Sequence, residues 1–164
     1  MAEDGLVIVY TGSGKGKTTA ALGMALRAVG YQHKVCMIQF IKGSWHYGEM
    51  DSSKRLSPEF ELLPAGKGFV GILDDKSPKE EHQKYAEEAI KTCKEKIQSE
   101  KYDLIILDEI NYAVNLDLIN LKSVIELIKS KPQKLDLVLT GNHAKQEIID
   151  LADLVTEMKE IKHP

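Results

Sequence analysis

The chain has 164 residues, a length that suits a single domain with a sizeable core, expected to span 1–164. Hydrophobic residues at 43% and charged residues at 29% exclude a disordered or fibrous chain, and no apolar run reaches the roughly 20 residues of a membrane span. A formal net charge of −3 leaves no electrostatic footprint for nucleic acid, and the acidic start Met1-Ala2-Glu3-Asp4 is unlike a leader, so a cytoplasmic protein without nucleic-acid or membrane partners is expected.

The first element is a strand, Leu6-Val7-Ile8-Val9-Tyr10, and a helical pattern begins at Thr19-Ala20-Ala21-Leu22. Between them lies Thr11-Gly12-Ser13-Gly14-Lys15-Gly16-Lys17-Thr18. Three glycines let backbone N–H groups turn towards an anion, and the following helix start adds partial positive charge, so the stretch is expected to be a phosphate-binding loop. Lys17 would reach the phosphates and Thr18 would offer its hydroxyl to Mg²⁺. Thr11 stands where the usual spacing has a glycine. The competing reading is a glycine-rich turn that binds nothing.

Lys34 to Phe40 reads as the second strand and Phe60 to Leu63 as a short third one. Gly66 to Lys79 is a long polar loop, and Ser77-Pro78-Lys79-Glu80 then opens a helix with Ala86, Ala89, Ile90, Cys93 and Ile97 on one stripe. Leu104-Ile105-Ile106-Leu107 is a buried strand. Asn120 caps a helix with Leu121, Val124, Ile125 and Ile128 facing inwards, and Pro132 lies just beyond it. Leu135 to Thr140 is the next strand, Lys145 to Leu151 a short helix, and Leu154 to Ile161 a final strand-like segment. Nearly all-apolar strands separated by helices predict an α/β fold, a mostly parallel sheet with helices on both faces. Cys36 and Cys93 read as two reduced core thiols.

Ligands of such sheets bind beyond the carboxyl ends of the strands. Asp108-Glu109 ends a strand at that edge, where carboxylates can hold Mg²⁺ beside a phosphate loop or simply be solvated. Thr140-Gly141-Asn142-His143 follows another strand and can touch a ligand or merely make the turn; His143 reads as a loop histidine. The segment Ile41 to Glu49 carries Trp45, His46 and Tyr47 between glycines, which suits a recognition loop, although the aromatics can equally cover apolar surface.

Four stretches together resemble the ATP:corrinoid adenosyltransferases of cobalamin synthesis and salvage: Thr11 to Ala21, Gln39-Phe40-Ile41-Lys42-Gly43 with Gly48-Glu49, Leu107-Asp108-Glu109-Ile110-Asn111-Tyr112-Ala113, and Ala152 to Met158. The similarity spans nearly the whole chain, and Thr11 belongs to that family's loop. The resemblance implies a P-loop, RecA-like fold and a homodimer. It also implies a reaction in which the 5′-deoxyadenosyl group of ATP passes to the cobalt(I) of a corrinoid with release of triphosphate. A reductant, such as a flavoprotein, must supply cobalt(I).

Carried over by position, the resemblance puts Gly12, Ser13, Gly14, Lys15, Gly16, Lys17, Thr18 and Thr19 at the triphosphate. Thr18, Asp108 and Glu109 fall at the divalent metal, Mg²⁺ or Mn²⁺, and Lys17, Thr18 and Glu109 carry the catalysis. Arg27 matches an arginine that approaches the nucleotide, Trp45 lies in the recognition loop, and Phe69 falls in the segment that sits at the corrinoid in relatives. The chain departs from the family pattern at Gly71, where an aromatic is usual, and at Asn142, where relatives usually carry arginine. A phosphate-loop kinase or ATPase that yields ADP is one rival reading. The other is a protein that binds ATP or corrinoid without turnover.

Overall fold

The computed structural model describes residues 4–41, 46–65 and 79–164. Among them six strands form one sheet: β1 (Val7–Thr11), β2 (Val35–Gln39), β3 (Phe60–Pro64), β4 (Leu104–Asp108), β5 (Asp136–Thr140) and β6 (Leu154–Glu157). Their order is β3-β2-β4-β5-β1-β6, and every pairing is parallel. The sheet is thus all parallel where a mostly parallel one was expected.

The strands are apolar on both faces because both faces are covered. In β1, Val7 and Val9 join the core on one side with Cys36, Ile38, Ile105, Leu107, Leu137 and Leu139. Ile8 points the other way, with Val35, Met37, Leu104, Ile106 and Val138. The period of two in a strand makes this division, and each fully buried Leu or Ile contributes about 1.5–3 kcal/mol. Helix α1 (Lys17–Gly30) lies on the second face through Ala21 and Ala25. The described helices that follow are α2 (Gly48–Arg55), α3 (Lys79–Gln98), α4 (Ile110–Asn115), α5 (Leu121–Lys129) and α6 (Gln146–Ile149). Of these, α3, α4, α5 and α6 cover the first face through Cys93, Ile97, Ala113, Val124, Leu127 and Ile148.

Helix α5 starts where the sequence places it. The Asn120 side-chain oxygen accepts the Lys122 N–H at 2.8 Å, satisfying one of the donors that a helix start leaves free. Asn120→Ala is expected to lower stability by about 1 kcal/mol, read as a shift of the urea midpoint with an unchanged slope. The proposed cap Ser77-Pro78 at the start of α3, and the polar loop before it, lie outside the described residues.

Two helices were not foreseen. Gly48 and Glu49, expected to close a loop, begin α2, whose acidic first turn (Glu49, Asp51) and basic last turn (Lys54, Arg55) complement the helix dipole. Helix α4 follows Glu109 directly. The final strand is shorter than expected, ending at Glu157, because Met158 turns across the phosphate loop: its N–H bonds the Thr11 carbonyl at 2.8 Å, and its carbonyl accepts the Gly14 N–H at 2.7 Å.

Cys36 and Cys93 are free and fully buried. Burial pushes the Cys36 thiol up to about 12 and drives Cys93 higher still, so both stay protonated and inert at neutral pH. Near Cys36, Lys96 donates to both Glu61 oxygens at 3.0 and 2.9 Å, and the Tyr102 hydroxyl also bonds Glu61. Burial works against the Glu61 charge, yet the bonds from Tyr102 and Lys96 prevail and hold the carboxyl below its usual value of 4.5. Because the folded-state value is the lower one, this stabilisation is full above the unfolded value and is lost as pH falls through the folded one. Glu61→Gln should therefore be less stable than the parent at pH 7, with the gap narrowing below about pH 4.5, as measured by urea unfolding at both ends of the range.

Candidate active site

Strand order decides which residues meet at the carboxyl edge. The loop strand β1 and the acid strand β4 are not neighbours; β5 lies between them. Its last residue, Thr140, pairs with Tyr10 of β1 and bonds the end of β4 through its side chain. The Thr140 hydroxyl donates to Asp108 Oδ1 at 2.7 Å and accepts the Glu109 N–H at 2.9 Å. Thr18 donates to the same Asp108 oxygen at 2.8 Å, so the first turn of α1 is tied to the end of β4.

Asp108 is fully buried, a position a carboxylate tolerates only with polar partners. Besides the two hydroxyls it meets Gln39 Nε2 at 3.4 Å, and the same Gln39 nitrogen reaches Glu49 Oε1 at 3.3 Å. Gln39 ends β2 as Asp108 ends β4. The sequence reading did not single it out. Its signal was a polar residue closing an apolar strand at the ligand-binding edge.

The loop itself is built on backbone that only glycine adopts readily. Gly12 has φ +96, and a Cβ there would lie 2.4 Å from the Met158 carbonyl oxygen. Thr11, the apparent irregularity in the loop, is buried, and its hydroxyl accepts the Ala144 N–H at 3.0 Å, fastening the loop to the turn after β5. Gly14 is buried, while Ser13, Lys15 and Thr19 are exposed around it. Lys17 is only 7% exposed, and its ammonium donates to the carbonyls of Gly12 and Gly14 at 2.8 and 2.7 Å. Burial draws the Lys17 pKa below its ordinary value, opposed by the charge of Glu109, while Lys15 pushes the same way as burial. The negative charge of Glu109 is thus felt at the lysine.

Glu109 is half-buried and has φ 64, a left-handed conformation unusual for a residue with a side chain. Such strain is concentrated at functional sites. Thr18, Asp108 and Glu109 offer one hydroxyl and two carboxylates. Hard oxygen donors of this kind, beside a phosphate loop, suit a small divalent cation that takes its remaining ligands from phosphate and water. Among the described residues no three His, Cys, Asp or Glu side chains gather into a cage of their own.

The structure thus brings Gly12, Gly14, Gly16, Lys17, Thr18, Asp108 and Glu109 together. Arg27 lies exposed in the last turn of α1, about 15 Å along the helix axis from Lys17, and is not drawn into this group. Asn142 is half-buried and His143 exposed in the turn after β5. Trp45, Phe69 and Gly71 lie outside the described residues.

Comparison with known proteins identifies the family. A family model described as ATP:corrinoid adenosyltransferase BtuR/CobO/CobP matches residues 3–164. The corrinoid adenosyltransferase of Escherichia coli (strain K12) is 35% identical over 161 residues, covering 98% of this chain and 80% of that protein. That of Sinorhizobium sp is 40% identical over 164 residues, covering 99% and 75%. Among solved structures, the flagellar accessory protein FlaH from Methanocaldococcus jannaschii superposes with a TM-score of 0.59 at 16% identity, over 94% of this chain and 71% of that one. At that identity the likeness concerns the fold alone, a P-loop, RecA-like sheet. With its loop, its strand-end acids and a family match along nearly its whole length, the chain belongs to the ATP:corrinoid adenosyltransferases.

Proposed function

We propose that this protein transfers the 5′-deoxyadenosyl group of ATP to the cobalt(I) of a corrinoid and releases triphosphate. The observation that carries the reading is the family match over residues 3–164, joined to a phosphate loop whose Thr18 is bonded to a buried strand-end carboxylate. In the reaction, cobalt(I) supplies the electron pair for the new cobalt–carbon bond at C5′. The C5′–oxygen bond breaks, and its electrons leave on the triphosphate. No side chain has to act as nucleophile. The protein's work is alignment and stabilisation of charge on the departing oxygen.

Loop N–H groups and Lys17 supply that stabilisation, with the ammonium exchanging the Gly12 and Gly14 carbonyls for phosphate oxygens. Thr18, Asp108 and Glu109 would hold Mg²⁺ or Mn²⁺. When bound, the ion neutralises charge on the polyphosphate. Asp108 keeps Thr18 oriented, and Thr140 fixes Asp108 and the Glu109 backbone together. A cytoplasmic homodimer, served by an external reductant such as a flavoprotein, completes the proposal by family analogy.

The test is an anaerobic assay with purified protein, Mg-ATP and chemically reduced cob(I)alamin, following the alkylcobalt product by absorbance and identifying the released phosphate. Adenosylcobalamin with triphosphate is expected. ADP without a corrinoid product would move the protein to kinase or ATPase chemistry, and binding of both ligands without turnover would leave it a binding protein.

A further inference from the structure

Asn111 is fully buried, and neither its Oδ1 nor its Nδ2 meets a hydrogen-bonding partner among the described residues. A buried amide left unpaired lowers stability relative to an apolar side chain of similar shape. Folding alone therefore gives no account of an asparagine here.

Its surroundings do. Asn111 lies two residues beyond Glu109 in the first turn of α4, pressed against the turn that follows β5. A Cβ at Gly141 would fall 2.7 Å from the Tyr112 nitrogen and 3.2 Å from Asn111 Cβ. The two facing segments hold three left-handed residues: Glu109 at φ 64, Gly141 at φ 129 and His143 at φ 55. They are also joined through Thr140, whose hydroxyl takes the Glu109 N–H. Unpaired polarity and left-handed backbone thus meet at one contact, two residues along the chain from the carboxylate assigned to the metal and triphosphate. Features that cost stability collect at functional sites.

We propose that Asn111 is a positioning residue: when Mg-ATP fills the site, its carboxamide pairs with the backbone of the Thr140–His143 turn and so sets Glu109 for the transfer step. The inference rests on the adenosyltransferase reading and on Glu109 facing the triphosphate. It assigns Asn111 a function through Glu109, with no contact to substrate.

Asn111→Leu removes the amide at nearly constant shape, and Asn111→Ala removes it without adding bulk beside Gly141, deciding the matter where leucine proves too large. The expected result in the folded variants is kcat lower by about tenfold to a hundredfold with KM for ATP little changed. In hydrogen exchange, Mg-ATP should raise the protection of amides 109–113 and 140–143 in the parent and fail to do so in the variants. Parental kcat in either folded variant would overturn the proposal. So would Mg-ATP raising the protection of amides 109–113 and 140–143 in the variants as much as in the parent. Glu109→Ala in the same series separates the two layers. Normal turnover there removes Glu109 from the site, whereas a silent Asn111→Leu beside an inactive Glu109→Ala removes only the positioning role.

Discussion

Lys17→Ala is expected to lower turnover of Mg-ATP and cob(I)alamin by on the order of a hundredfold or more. The side chain is almost wholly buried, is drawn below its ordinary pKa mainly by that burial, and rests on two carbonyls of the loop it serves. A cation held out of water acts on developing phosphate charge more strongly than one in solvent, so little else in the site can replace it. Stability should change far less, because losing two carbonyl contacts is offset by no longer burying a charge. Lys17→Arg is expected to restore little activity, since a planar guanidinium does not reproduce the compact charge and rotatable donors of an ammonium. Single-turnover kinetics beside thermal melting of each variant makes the check. A Lys17→Ala protein that turns over at the parental rate would remove the lysine from the machinery.

Gly12→Ala should be nearly as damaging, by a different route. The position combines φ +96 with a would-be Cβ 2.4 Å from the Met158 oxygen and 2.8 Å from its nitrogen. Those neighbours are backbone and cannot rotate away. Either the loop or the Met158 crossing must give, at a cost of about 2–4 kcal/mol and a melting temperature lower by roughly 5–15 °C. ATP affinity, measured by calorimetry, should fall with it because the loop N–H groups no longer converge. Gly23→Ala is the matching control. It lies within α1 with nothing inside 4 Å of the added carbon and should be neutral or stabilising.

What the sequence revealed and what it hid divide along the range of the interactions involved. The phosphate loop, β1 and β4 were legible because their signals are local: a run of apolar residues, glycines at a strand end, an acid where the run stops. Asn120 was legible for the same reason, one side chain reaching a backbone N–H two residues on. Helix α4 was not, since Ile110–Asn115 buries Ile110, Asn111, Ala113 and Val114 almost all round and so shows no helical period. Gln39, the Thr11 hydroxyl and Met158 escaped as site residues because their partners, Asp108, Ala144 and Gly14, are distant in sequence and come together only through the strand order. Thr140 was noticed as a polar turn residue, yet its bridging of Asp108 and Glu109 depends on β5 lying beside β4.

The crossing of Met158 over the loop also bears on synthesis. Gly12 to Thr18 emerge from the ribosome early, but the carbonyl that holds Gly14 belongs to a residue translated on the order of ten seconds later at ordinary elongation rates. Until β6 has paired with β1, the nascent chain carries a complete nucleotide-binding sequence with no buttress behind it. The backbone bond that braces Gly14 is therefore among the last contacts of the loop to form as the chain is made.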